Sequence, residues 1–219
     1  MILGFQLAFP PWKSLGRFTW EFIAYGLENK DKPDVARYDV EFSPQGNDIT
    51  CHTVALSQAS KESGAFKNSS ISLHDHQNAL IKTDFLPIFD RQTPEKREVL
   101  LFFDRVLKAG TGPYKLRIED FVVGLLSDLK KQKRDDFFAK LQRSNSPIAQ
   151  VQIVVHVPPL FNRAFVTSSP KLPTGQVPGR VMTAAELSPF NGPAPNWIKC
   201  GWVGNNVVPS ESFGPLLCI

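Results

Sequence analysis

Ten of the 18 prolines in this 219-residue chain fall after Val157, in a stretch that holds only six charged residues. Proline fixes φ and removes a backbone donor, so that density argues against helix and most strand. The sequence therefore predicts an extended, polyproline-like arm over 158–219. Phe161, Phe165, Phe190, Trp197, Trp202 and Phe213 are spread along it, and the chain ends on Leu216-Leu217-Cys218-Ile219. Disordered tails are usually charged and poor in aromatics. A segment of the reverse composition is expected to lie on protein, either its own core or a neighbouring subunit. Those six aromatics and Ile219 are therefore candidate self-association contacts.

Residues 1–157 read as a globular core. Over 17–25, Phe18, Trp20 and Phe22 alternate with Arg17, Thr19 and Glu21, the period of a half-buried strand. Tyr38, Val40 and Phe42 alternate in the same way with Arg37, Asp39 and Glu41. Ser43-Pro44-Gln45-Gly46 has type I turn preferences, so 37–57 is expected to form a β-hairpin. Short strands follow at 71–73 and 80–85, after a polar surface loop over 57–70. Thr93 as N-cap, Pro94 at the first position and Gly110 as a stop predict a helix over 94–109. Phe121, Leu125 and Leu129, four apart, predict a second helical block over 119–143. Residues 149–157, with Val151, Ile153, Val155 and Val157 on one side, form the clearest strand, and their lack of charge places it centrally. The expected fold class is α+β: a largely antiparallel sheet with two to three helices packed on one face, plus the proline-rich arm.

Charge is uneven, with residues 1–90 at −3, 91–143 at +5 and 144–219 at +2. Lys130, Lys131, Lys133 and Arg134 form the one dense basic run, a candidate contact for nucleic acid or another anionic surface. Asp135 and Asp136 follow and offset part of it. Three widely spaced cysteines, Cys51, Cys200 and Cys218, form no disulfide or zinc-ligand pattern. The apolar N-terminus lacks a basic leader and is interrupted by Pro10-Pro11, so neither a secretory signal nor a transmembrane segment is expected. A cytoplasmic location, with nuclear entry open to the basic run, follows as the expectation.

Chemistry-bearing motifs are scarce. His74-Asp75-His76 places two histidines at alternate positions, but zinc takes three or four ligands. His52 and His156 would have to converge on that pair. Pro33-Asp34 followed by Asp39-Val40-Glu41 lacks the lysine of a metal-dependent nuclease pattern. No nucleophile elbow and no phosphate-binding glycine loop is present.

Three functional readings follow. The first is a non-enzymatic assembly subunit of coat or matrix type, with a viral cast to its composition, self-associating into a homo-oligomer through its arm. The second is a module binding nucleic acid or a host protein through 130–134. The third is a metal-dependent hydrolase assembled from scattered histidines and acids. No catalytic residue, cofactor or metal ligand is assigned.

Overall fold

Alternation of apolar and polar side chains builds far more of this molecule than the helical spacings suggest. The structure, a computed structural model, describes residues 13–57, 69–89, 96–137, 139–140, 147–168, 179–207 and 212–219. Among the described residues strand predominates, in a multi-stranded mixed-sheet fold with two short α-helices. That overturns the α+β expectation of helices packed on a sheet face.

Eight strands form the main sheet. In spatial order they are β13 (Arg180–Val181), β14 (Ile198–Val207), β11 (Ile148–Val157), β1 (Lys13–Ile23), β2 (Asp34–Pro44), β8 (Tyr114–Val122), β4 (Ser70–His74) and β5 (Leu80–Ile81). Neighbours run antiparallel except β1 and β11, which are parallel. One small sheet holds β3 (Ile49–Ser57), β7 (Lys96–Leu107) and β6 (Thr83–Phe89). Another holds β12 (Phe165–Ser168), β16 (Pro215–Cys218) and β9 (Arg134–Asp136), and β10 (Ala139–Lys140) pairs with β15 (Ser212–Phe213). The helices are α1 (Ser127–Gln132) and α2 (Ala184–Leu187).

Each correction has a physical cause. The helix expected at 94–109 is strand β7, because its apolar run is two-sided: Leu101 points into the core and Phe102 outward, 44% exposed. Such a run satisfies a helical stripe as well as a strand, and its Val and Phe content favours strand. The helical block expected at 119–143 begins inside β8, whose inward Tyr114, Leu116, Ile118 and Val122 keep period two. Helix α1 then lasts six residues and stops where Lys133 turns left-handed at φ 60°. The hairpin expected at 37–57 does not form. β2 pairs with β1 and β8, whereas β3 pairs with β7, so the turn after Pro44 carries the chain between sheets. Nor is 158–219 an extended arm. The proline-free window 196–208 admits the ten-residue β14, which pairs along its length with β11. The loop expected at 57–70 lies largely outside the described residues, as does the N-terminal segment.

The small sheets cover one face of the main sheet. A single core cluster joins Phe18, Trp20 and Phe22 of β1 to Leu101 and Leu107 of β7, and to Phe137, Val166 and Leu217 on the other side. Aromatic rings knit it, Phe18 to Trp20 at 5.1 Å and Phe22 to Phe137 at 5.0 Å between centroids. Truncating one of these to Ala removes about 3–5 kcal/mol. The opposite face is polar over its middle strands and carries two apolar patches, one at Val154 and Val203 and one at Ile23 and Val35.

Candidate functional site

The alternation that sends Phe18, Trp20 and Phe22 inward sends Arg17, Thr19 and Glu21 to the polar face, and β2 and β8 contribute in step. Strand register sorts these residues into rows. Across β1, β2, β8 and β4, the middle row reads Thr19, Asp39, Arg117, Ser72, with Gln152 beside it on β11. The row nearer the β5 hairpin has Glu41, Lys115 and His74. Here the β1 register shifts between Leu15 and Phe18, so Gly16 and Arg17 together oppose Glu41. A bulge of this kind re-aims a side chain.

The third row is a charge chain that is buried at its His156–Glu21 end and partly exposed at its Arg37–Glu119 end. His156 Nε2 lies 2.7 Å from Glu21 Oε1, Glu21 Oε2 accepts from Arg37 Nη1 at 2.6 Å, and Arg37 Nη2 donates to Glu119 Oε1 at 2.7 Å. Burial pushes the Glu21 carboxyl upward, but the His156 hydrogen bond and the Arg37 charge outweigh it and hold the group below its usual value. For Arg37, burial works downward and is overcome by the bond to Glu119 and the charge of Glu21.

Residues 179–197 fold back over this end of the face. Thr183 and Glu186 form a reciprocal capping box that starts α2, and the Glu186 carboxylate also accepts from both terminal nitrogens of Arg180. That bond to Arg180 comes first among the contacts that bring the Glu186 acid down to about 2. Met182, Leu187 and Phe190 pack on Val154 and Val203, the apolar corner of the polar face. Gly201 lets them in: a Cβ there would stand 2.6 Å from Leu187 Cδ2 and 2.7 Å from Met182 Sδ. Gly192 lies over His156, where a Cβ would be 3.0 Å from Nδ1. His156 is completely buried.

The rest of the face stays open as a cleft of about 510 Å³, with Phe190 on one wall and Asn78 on the other. Asp75 sets that second wall, since its carboxylate accepts from the Gln77 and Ala79 backbone amides and pairs with Arg105 at 3.1 Å. The Ala79 amide leads the contacts that lower the Asp75 acid. On the floor, Arg117 makes a two-pronged bond to Asp39 at 2.6 and 2.8 Å, which raises the guanidinium above its usual value. Arg17, Glu41 and Lys115 line the same floor. Among the described residues no ion pair engages any of these three.

The basic run spans the end of α1, a left-handed turn and the start of β9. Lys130 and Lys131 end α1, Lys133 reaches toward the Phe161 ring and Arg134 opens β9 opposite Cys218; all four are exposed. The expected self-association residues are mostly engaged within the chain. Trp202 and Trp197 are buried, Phe161 and Ile219 pack on the main core, and Phe190 packs on the Val154 corner. Phe165 is 55% exposed. Phe213 lies in β15, and its side chain is outside the described residues.

The histidines do not converge. His74 on β4 and His156 on β11 are four strand positions apart, about 19 Å at the usual strand spacing. His52 lies in a different sheet. Among the described residues no three His, Cys, Asp or Glu side chains form a metal-sized group. Likewise, no described helix is long and apolar enough to cross a membrane. Sequence reasoning took Arg17 as the wet side of a strand, and took Asp39 and Glu41 the same way once the nuclease pattern they approach proved to lack its lysine. The usable signal was that three separate segments, 17–21, 37–41 and 115–119, carry polar or charged residues at alternate positions, eight of the nine being charged.

No protein family and no curated protein matches the chain. Solved structures do. A protein from Parabacteroides distasonis described as a candidate protease aligns over 96% of this chain and 41% of its own length, at 10% identity and a TM-score of 0.54. The E323A mutant of an M1 zinc metallopeptidase from Deinococcus radiodurans aligns over 94% and 42%, at 10% identity and 0.51. This chain thus spans about two fifths of either protein, and the likeness is one of fold.

Proposed function

We propose that this chain is a binding module whose polar sheet face takes up a saccharide. The observation that carries the reading is the open cleft of about 510 Å³, within the size of small-ligand sites, over a floor of interleaved donors and acceptors. The backbone groups beneath are committed to strand pairing, so recognition falls to side chains. Arg17 and Lys115 donate, Glu41 accepts, and Ser72, Asn78 and Gln152 do both. A peptide docking by its backbone would need a free sheet edge, and one docking by apolar anchors would need a hydrophobic groove. Sugar hydroxyls, each donor and acceptor, match the mixed floor, and the Phe190 wall offers a ring for an apolar sugar face. The test is a glycan array with the full chain, followed by calorimetry on the best ligand. Binding that falls at least tenfold in the Asn78→Ala, Gln152→Ala double variant supports the module. Absence of binding to any saccharide at millimolar concentration overturns it.

A further inference from the structure

The charge pattern of the cleft floor says more about the ligand than its size does, and the following rests on the saccharide reading. Asp39 is already matched by Arg117 through two hydrogen bonds. That leaves Arg17, Glu41 and Lys115, two cations and one anion, without ion-pair partners among the described residues. Their order across the sheet is fixed by register: Arg17 on β1, Glu41 next to it on β2, Lys115 next on β8. The two cations are therefore two strand positions apart, about 10 Å, with the acid between them. All three are polar-face residues of rigid strands in the main sheet, which keeps the spacing fixed when a ligand arrives.

We infer that the site selects an extended acidic oligosaccharide in which uronate rings alternate with neutral ones. Two ligand carboxylates sit over Arg17 and Lys115, and the ring between them offers hydroxyls, which donate to Glu41. An arginine forks onto a carboxylate, and the lysine serves as a compact point charge. A third carboxylate on the middle ring would face Glu41 and be repelled. That repulsion distinguishes an alternating polymer from a continuous polyuronate. His74 stands next to Lys115 on β4 and offers a ring nitrogen to the ligand at that end.

The experiment compares three oligosaccharides of equal length by calorimetry at two salt concentrations: neutral, alternating uronate–neutral, and all-uronate. The alternating ligand should bind tightest and weaken with salt. Arg17→Gln and Lys115→Gln, which keep a hydrogen-bond donor and lose the charge, should each cost that ligand about tenfold and cost the neutral one far less. Glu41→Gln should raise affinity for the all-uronate ligand and remove the preference for alternation. Because Arg17 and Lys115 are exposed and Glu41 is half-exposed, the variants should melt with the parent, which circular dichroism checks. If neutral sugar binds as tightly as the acidic ones, or Glu41→Gln leaves the preference intact, this inference falls and the module reading stands. If no saccharide binds, both fall.

Discussion

Replacing Asp135 by Asn should stabilise this protein at neutral pH and do nothing at pH 4. Asp135 sits in β9 opposite Leu217 and is 6% exposed. Burial, helped by the neighbouring Asp128 and Asp136 charges, raises its acid from 3.8 to about 6. The folded state therefore holds a proton that the unfolded chain has released across the window from about 3.8 to 6. In that window the folded form binds more protons, so stability falls as pH rises, and it stays lowered above 6. At about 1.36 kcal/mol per unit, the gap sets an upper bound of about 3 kcal/mol, and solvent screening reduces it to about 1–2 kcal/mol. For a domain of this size that is roughly 2–8 °C in Tm. Thermal melts of parent and Asp135→Asn between pH 4 and 8 should diverge through pH 4–6 and run parallel above pH 7. A gap that does not change with pH, or a variant less stable at pH 8, would refute the burial argument.

Other positions give independent checks. Arg37→Met leaves Glu21 buried without its guanidinium and should cost about 3–5 kcal/mol in urea denaturation, part of which Glu21→Gln in the same chain restores. Gly201→Val places carbon against Leu187 and Met182, so limited proteolysis within 179–197 should accelerate several-fold while β14 stays protected. Burial raises the Cys200 thiol to about 11, whereas Cys51 is exposed; a thiol reagent at pH 8 should modify Cys51 in the native protein and reach Cys200 only after unfolding.

Where the sequence was legible, one face of a strand was apolar and the other charged. β1 and β2 show this; β11 was legible instead from its alternation and its lack of charge, and it does sit between two neighbours, β14 and β1. Legibility failed where both faces of a strand are apolar or where one charged residue interrupts the inward set. β7 is the first case, with Leu101 inside and Phe102 outside. β8 is the second: Asp120 lies on the inward side between Ile118 and Val122, which hid the alternation and left Phe121, Leu125 and Leu129 to suggest a helix. The cleft was illegible for another reason. Its rows exist only once β1, β2, β8 and β4 are placed side by side, and that pairing joins residues up to about a hundred positions apart, such as Arg17 and Lys115.

The C-terminal third shows why the open cleft is half a face and not a whole one. On β11 and β14 the polar side carries Val154, Val203 and Gly201, which water would wet unfavourably, and 179–197 covers that corner with Met182, Leu187 and Phe190. On β2 and β8 the same side carries Asp39, Glu41, Lys115 and Arg117, which gain little from an apolar cover and would lose hydration under one. The covering segment therefore follows the apolar patches of the sheet, Phe190 on Val154 and Val203 and Trp197 on Ile23 and Val35, and Phe190 also becomes a wall of the cleft. Phe190→Ala separates these two roles. If Phe190 matters mainly as cover, the variant loses stability and keeps ligand; if it also stacks on the ligand, affinity drops about tenfold at a temperature where the fold is intact.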